Sequence, residues 1–346
     1  MAGHRRPGGN EEAKEAGKEK GKQEKYKERD QVRYKKTESR KWGRAEKLKS
    51  VLVWLTLCLL VFTACSQTKL TYENVDDHIT AVGATVKKDA AEPMVSSVSG
   101  EWAVLGLVCS GQGDQELYDR YYENLQVALK SSKGVLSETA YTDYARVAIC
   151  LKAIGKNPRE VDGYDLLAPL DDKDKVMEQG INGPTFSLIA SNVCGTPLQN
   201  EEAYIQEILT WMDGVEKEDS VDLTAMALQA LSFYQGRDGV DRAIQGGLAY
   251  LSKKQGEDGG YRTCEGTAQV IIALTCLGKD PLTEKEFVKG EKNLGHGLMK
   301  FRKDEGFLHE AGDEKINAMA TEQSLLALCS IKLFPQGRAL FERVVV

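Results

Sequence analysis

Three carboxylates with the chemistry of general acids and bases recur at similar places in the second half of this 346-residue chain. Asp222, Glu265 and Glu322 each lie within two residues of a threonine at the start of an apolar segment. Placed at one mouth of a fold, such carboxylates could transfer protons during cleavage of a glycan or a lipid. Acidic residues are also common in the first turn of helices, where they cap N–H groups and complement the helix dipole. We favour this second interpretation and predict no catalytic residue.

Aromatic and polar residues collect at or near the same segment starts. Aromatic walls with a few polar groups are typical of a pocket for a small molecule or a glycan. The alternative is that the aromatic rings simply fill the centre of the fold. The candidate ligand-binding residues are Trp102, Tyr141, Tyr144, Asn182, Thr185, Asp222, Tyr261, Glu265, Phe307, Asn317 and Glu322.

The sequence supports no cofactor and no metal site. It contains neither a CxxC pair nor an Asp-x-Cys pair, which a structural zinc or a zinc-dependent prenyl transferase would need. The acidic cluster 171–174 departs from the magnesium-binding DDxxD pattern because Lys175 stands at the fifth place. No Gly-Lys-Ser/Thr follows the glycines of QGEDGGY, so they predict a tight turn and no phosphate loop. His309 is interpreted as a solvated or capping residue.

A repeated motif shows which elements would position these residues. The motif begins at Thr224 as TAMALQAL, at Thr267 as TAQVIIAL and at Thr321 as TEQSLLAL. Its first place is Thr, its seventh Ala and its eighth Leu. A related copy, YARVAICLKAIGKNP, begins at Tyr144 and aligns with TAQVIIALTCLGKDP. Copies spaced by 43 and 54 residues indicate a solenoid or a closed ring of supersecondary units.

Apolar residues in 70–346 recur at spacings of three and four, which predicts helices and no strands. Charged, amphipathic helices alternate with helices that are apolar almost all round, and the apolar ones must be buried. Six buried helices covered by six outer ones predict an all-α fold, an (α/α)6 toroid of about twelve helices. The predicted helices span 72–90, 100–110, 114–132, 138–155, 165–179, 182–194, 200–214, 220–235, 238–255, 265–278, 284–303 and 316–333.

Two of these segments resemble a known repeat. QGEDGGYRTCEGTAQVIIALTCLGKDP (255–281) and KDEGFLHEAGDEKINAMATEQSLLALCSI (303–331) are similar to prenyltransferase and squalene-cyclase repeats, in which a Gly-rich aromatic turn precedes a small-residue inner helix. INGPTFSLIASN (181–192) and DSVDLTAMALQAL (219–231) resemble segments of bacterial surface lipoproteins that carry this repeat. The resemblance implies the α/α-toroid superfamily of terpenoid cyclases and protein prenyltransferases, whose members include enzymes and non-enzymes alike.

We therefore predict a protein that catalyses no reaction and binds a small molecule, a glycan or a protein partner at the mouth of the toroid. Two alternatives stay open. One is an enzyme that acts on a glycan or a lipid, as a lyase, a hydrolase or a terpene-cyclase-like catalyst, through the inner-helix carboxylates. The other is an adhesion scaffold on the cell surface.

The N-terminal part divides into a leader and an apolar segment. Residues 1–50 carry 17 Lys and Arg against 9 Asp and Glu and lack apolar periodicity, so we interpret them as a disordered basic leader. Because acidic residues are mixed throughout this leader, no nucleic-acid partner is predicted. Residues 51–65 contain 14 uncharged residues, from Val51 to Ala64, which suits the core of a signal peptide better than a membrane span of about 20 residues.

The apolar segment ends at Cys65 and is followed at once by polar SQTKLTYEN. This arrangement resembles a bacterial lipoprotein signal, in which the Cys is acylated and becomes the mature N-terminus. An uncleaved signal anchor is the alternative. In both cases the domain 70–346 would be extracytoplasmic and attached to the bacterial cell membrane.

The lipid anchor can be tested by growing cells with labelled palmitate. We expect the protein to incorporate the label, and Cys65→Ala to abolish both the label and retention in the membrane fraction. Cys58→Ala, a change within the apolar segment itself, is the matched control and should leave both unchanged. Membrane retention without label would instead indicate an uncleaved anchor, with the basic leader on the cytosolic side.

Overall fold

A computed structural model describes residues 69–343 together with Arg29 and Arg33. The remainder of the basic leader and the apolar segment that ends at Cys65 lie outside the described residues. Within the described part, no helix is both long enough and apolar enough to cross a membrane. Residues 69–343 belong to one unit of the chain.

The predicted all-α class is confirmed for these residues. The prediction of no strands is wrong at one place, because a hairpin of two-residue strands forms the one sheet within residues 69–343, with Arg302 paired to Phe307. The helices are α1 Val75–Asp89, α2 Glu101–Ser110, α3 Gln115–Ser132, α4 Thr142–Ala153, α5 Lys173–Met177, α6 Asn182–Cys194, α7 Glu201–Asp213, α8 Val215–Glu218, α9 Val221–Leu231, α10 Val240–Lys254, α11 Cys264–Cys276, α12 Leu294–Met299, α13 Ala318–Leu333 and α14 Leu340–Arg343, and the strands are β1 Arg302–Lys303 and β2 Gly306–Phe307.

Two predicted helices, 165–179 and 284–303, are wrong as continuous elements. The first is a 3-10 turn, Ala168–Asp171, followed by the short α5. The Oδ1 of Asp165 accepts hydrogen bonds from the backbone N–H groups of Leu167 and Ala168, which stabilises a turn in place of a helix. The second contains a 3-10 turn, the six-residue α12 and β1, with Gly290 at a φ of 59° between the turn and α12.

Six helices, α2, α4, α6, α9, α11 and α13, form an inner set. Each packs against the next one in chain order, and α13 packs against α2, so that the contacts form a cycle. Three amphipathic helices pack outside this set. Helix α1 packs against α2 and α13, α7 packs against α6 and α9, and α10 packs against α9. Most residues of the inner helices are buried, as their nearly uniform apolar character predicts.

The seventh place of the repeated motif explains how closely the inner helices pack. The same register extends to α2, where the motif begins at Gly100, and to α6, where it begins at Pro184. A Cβ atom added at Gly106 would lie 3.0 Å from Cδ2 of Leu325 on α13, which is tighter than an ordinary van der Waals contact, so the leucine would have to shift. The residues at the seventh place are all small and buried: Gly106, Cys150, Ala190, Ala230, Ala273 and Ala327.

The first-place threonines of α11 and α13 tie these two helices to the turns before them. The Thr267 hydroxyl donates to the backbone oxygen of Thr263 (3.0 Å) and accepts from the backbone N–H of Tyr261 (3.1 Å). Thr321 likewise accepts from the N–H of Phe307 (3.0 Å). The Gly-aromatic turns are therefore fixed by the same threonines that begin the motif.

Helix α14 packs at the end of the inner set opposite these turns. This helix contacts α6, α11 and α13, and its Leu340 and Phe341 are buried. Burial and then the charge of Glu342 raise the pKa of Cys276, which is the last residue of α11. The C-terminal end of α11 is thus close to α14, whereas the N-terminal ends of the inner helices lie at the other end of the set, here called the mouth.

Overpacking the seventh place should destabilise the fold. We expect Ala273→Leu or Ala327→Leu to lower the free energy of unfolding by about 1–3 kcal/mol, because both alanines are fully buried between inner helices. Ala249→Leu on the exposed side of α10 is the control and should change it by less than about 0.5 kcal/mol. Urea denaturation measures all three; unchanged stability in both inner-helix variants would contradict the packing described.

Candidate functional site

The third place of the motif lines a depression at the N-terminal ends of the inner helices. It lies one turn closer to the mouth than the seventh place, on the same face of each helix. At that level the side chains are large or polar, and they surround a space of about 430 Å³, here called the mouth depression. The third-place residues are Trp102, Arg146, Phe186, Met226, Gln269 and Gln323.

Five of these six residues line the mouth depression directly, and the sixth is bonded to one of them. The Nε2 of Gln269 donates to Oε1 of Gln323 (3.1 Å), and Gln269 in turn accepts from Gln229 of α9 (2.8 Å). This chain of side-chain amides fixes the glutamines and leaves one side of the site polar. The other lining residues are Ser96, Ser97, Val98, Thr142, Asn182, Met319 and Glu322.

An aromatic pair forms the apolar part of the site. The rings of Trp102 and Phe186 have centroids 5.8 Å apart and planes inclined by 42°. Met226 and Met319 line the same space. Tilted aromatic rings beside flexible thioethers present an apolar surface that can adapt to a ligand.

Arg146 adds a positive charge to the lining, and the buried Glu101 interacts with it electrostatically. Arg146 makes an ion pair with Asp143 on its own helix. Glu101 is fully buried, and its Oε1 accepts from the backbone N–H of Ser96 (2.7 Å) and from the hydroxyl of Tyr121 (3.0 Å). Burial raises the pKa of Glu101, while the Ser96 hydrogen bond and the charge of Arg146 oppose that rise.

A loop between α1 and α2 forms one wall, and two carboxylates hold it. Ser96 and Ser99 have φ angles of 57° and 62°, a left-handed conformation that costs non-glycine residues energy. Each of these serines donates its backbone N–H to a carboxylate, Ser96 to Glu101 and Ser99 to Glu322 (both 2.7 Å). Burial raises the pKa of Glu322 to about 7, with smaller contributions from nearby Asp89 and Glu101.

A second group of ionisable residues lies at the starts of α9 and α11. The Nδ1 of His309 is 2.9 and 3.0 Å from the two carboxylate oxygens of Glu265. This hydrogen bond raises the pKa of His309, and burial followed by the charge of Glu265 raises the pKa of Asp222. The side chain of His309 is 45% exposed, so an imidazole oriented by a carboxylate faces solvent.

The structure brings some of the predicted site residues together and separates others. Trp102, Asn182 and Glu322 line the mouth depression, and the buried Thr185 precedes Phe186 on α6. Asp222 and Glu265 belong to the group around His309. The remaining candidates do not line the depression. Tyr141 packs on Tyr144, whose hydroxyl accepts from the N–H of Leu136, and the Tyr261 hydroxyl donates to the backbone oxygen of Leu251. Phe307 is buried, and Asn317 caps α13.

Sequence reasoning missed Arg146, Phe186, Met226, Gln269 and Gln323. The signal was present, because these residues share the third place of the motif with Trp102. The interpretation of His309 as a solvated or capping residue omitted its bond to Glu265, since a sequence separation of 44 hides their proximity.

Comparison with known protein families finds no match for this sequence, and a search of well-characterised proteins finds no relative. The site itself therefore carries the functional argument.

The raised pKa of Glu322 predicts a specific pH dependence of stability. The folded state holds this proton up to about pH 7, whereas an unfolded glutamate loses it near pH 4.5. The stability contribution of the buried acid is therefore complete below about pH 4.5 and is lost as pH rises through about 7.

Glu322→Gln retains an oxygen that accepts from Ser99 but cannot ionise. We expect wild type to lose about 2–3 kcal/mol of stability relative to this variant between pH 4.5 and 8, measured by urea denaturation. The exposed Glu123→Gln serves as the control. Parallel pH profiles for wild type and Glu322→Gln would contradict the assignment.

Proposed function

We propose that this chain is an extracytoplasmic, lipid-anchored (α/α)6 toroid that binds a ligand in the mouth depression without catalysing a reaction. One observation carries the proposal. The same register position of the inner helices supplies an aromatic wall and a polar side to a single space. If these side chains only filled the centre of the fold, apolar residues would suffice at that place.

The toroid is supported by the cycle of contacts among the inner helices. A stack of helix pairs that stayed open would leave its first and last inner helices apart, but α13 packs against α2. The sequence resemblance to prenyltransferase and squalene-cyclase repeats points to the same architecture. The (α/α)6 arrangement and membership of that superfamily are thus part of this proposal.

Ligand binding is supported by the size and lining of the mouth depression. A space of about 430 Å³ is within the usual range of about 300–1,000 Å³ for small-molecule pockets. Its apolar wall and its amide and carboxylate groups would supply contact area and orientation respectively. A small molecule or a glycan fits this description best, with a protein partner as the remaining option.

The extracytoplasmic location rests on the N-terminal sequence. Lysines, a short apolar run and Cys65 in that order favour a lipoprotein signal, with a signal anchor as the alternative. The membrane would then be a partner through the N-terminus, and the mouth depression would face compounds outside the cytoplasm.

A second function, an enzyme acting on a glycan or a lipid, is favoured by two features. A carboxyl group with a pKa of about 7 is suited to donate a proton near neutral pH, and Glu322 lines the depression. His309, oriented by Glu265, has the geometry of a general base or acid. Loss of such a group would lower a rate by about 10²–10⁴-fold.

A ligand panel tests the binding proposal. The full chain is screened with glycans, polyprenyl lipids and corrinoids for both thermal shift and turnover. We expect at least one member to raise Tm without turnover, and Phe186→Ala to weaken its binding about tenfold or more because the aromatic wall is lost. Phe233→Ala, which removes a half-buried ring outside the depression, is the matched control.

The other outcomes point to different functions. Turnover that disappears in Glu322→Gln or His309→Ala would show that the protein is an enzyme and contradict the proposal of binding without catalysis. Neither shift nor turnover with any member would favour the adhesion scaffold.

A further inference from the structure

Three buried polar atoms on or next to the lining of the mouth depression lack hydrogen-bond partners within the described residues. They are Oγ of Ser96 and Nε of Arg146, both on lining residues, and Oε2 of Glu101, a residue that is bonded to Ser96 and interacts electrostatically with Arg146. Buried polar groups in folded proteins are nearly always bonded, so these atoms indicate a missing partner. Glu101 itself is 1% exposed, and its other oxygen is already bonded to Ser96 and Tyr121.

The chemistry of these atoms restricts that partner. The Nε of arginine can only donate, an ionised carboxylate oxygen can only accept, and a serine hydroxyl does both. A ligand that satisfies all three must therefore present groups that accept and donate side by side. Hydroxyl groups do this, whereas ammonium groups only donate and carboxylates only accept.

The aromatic wall restricts the body of the ligand. Trp102 and Phe186 line the depression, and the faces of aromatic rings carry a partial negative charge. The C–H groups of a pyranose ring carry a small positive charge and form a flat apolar face. A sugar unit can thus lie against the rings with its hydroxyls directed at the polar side, and the volume admits one or two such units.

The charges disfavour an acidic ligand. Among the described residues that line the mouth depression, Arg146 is the only Lys or Arg, and it is already paired with Asp143. Glu322 lines the same space, and Glu101 is bonded to the lining residue Ser96. A uronate, a sulfate or a diphosphate would meet these carboxylates, and the positive charge of Arg146 is already balanced by Asp143.

We propose that the mouth depression binds a neutral glycosyl unit, whose ring packs against Trp102 and Phe186 and whose hydroxyls bond to Arg146 and Glu101. This inference rests on the proposed ligand-binding function and adds the chemical class of the ligand. It excludes acidic sugars and prenyl diphosphates from the same site.

The test uses pairs of glycosides that differ only at one carbon: methyl glucoside with methyl glucuronide, and methyl galactoside with methyl galacturonide. Binding to the full chain is measured by calorimetry at pH 8, in a detergent without a sugar headgroup. We expect at least one neutral member to bind at least tenfold more tightly than its acidic partner. Glu322→Gln should narrow that ratio, because it removes a negative charge from the lining.

A second variant tests the hydroxyl contacts. Glu101→Gln places an amide NH₂ group, which only donates, where an acceptor is needed. It should therefore weaken binding of the neutral glycoside at least fivefold. Glu123→Gln, an exposed glutamate on α3, is the matched control and should leave binding unchanged. If Glu101→Gln fails to fold, the ratio of neutral to acidic glycoside affinity in Glu322→Gln still decides whether the site prefers a neutral ligand.

The outcomes separate this inference from the function on which it rests. Equal or tighter binding of the acidic member would overturn the neutral class and leave a ligand site. Binding of a corrinoid or a polyprenyl lipid in a Phe186-dependent manner, with no glycoside bound, would overturn the sugar assignment alone. Failure of every compound to bind would overturn both, and the unpartnered atoms would then be satisfied by water.

Discussion

The close approach of the six inner helices is the constraint on which the rest of the structure depends. It requires a small residue at the seventh place of each helix, and Gly106 illustrates why, since an added methyl group would press on Leu325. One turn nearer the N-termini, the third place carries larger side chains such as Trp102 and Phe186. The core is therefore closely packed at the level of the seventh place, and the larger side chains at the third place surround a depression at the N-terminal ends of the helices.

Electrostatics at that mouth follow from the same register. Glu101 and Glu322 both occupy the second place of the motif, on two helices that contact each other. Each accepts a backbone N–H from a left-handed serine, so two buried carboxylates hold the loop that forms one wall. Their desolvation is unfavourable, which raises both pKa values. We regard this cost as the consequence of building a polar site into an apolar core.

Much of the fold could be predicted from the sequence, because ten helices have strong apolar periodicity and clear ends. The elements 165–179 and 284–303 could not, since local bonds from Asp165 and the glycine at 290 override their helical composition. The site was predicted only in part. Trp102, Asn182 and Glu322 were singled out by residue type and line the depression, but α2, α4 and α6 have Gly100, Tyr144 and Pro184 where the motif has threonine. Without a threonine to mark the register, α2 and α6 were not aligned with the other copies, and Arg146 was passed over in the copy that begins at Tyr144.

Methionine methyl NMR offers the most direct measurement of the central claim, that the third-place residues enclose a ligand site. Met226 and Met319 line the mouth depression, whereas Met212 and Met299 are buried outside its lining and report on the rest of the fold. Neutral methyl glycosides, a polyprenyl lipid and a corrinoid are added in turn to protein labelled with ¹³C at the methionine methyl groups. The account predicts that at least one compound shifts the resonances of Met226 and Met319 and leaves those of Met212 and Met299 in place. If no compound moves Met226 and Met319, or if all four resonances move together, the mouth depression is not the ligand site described here.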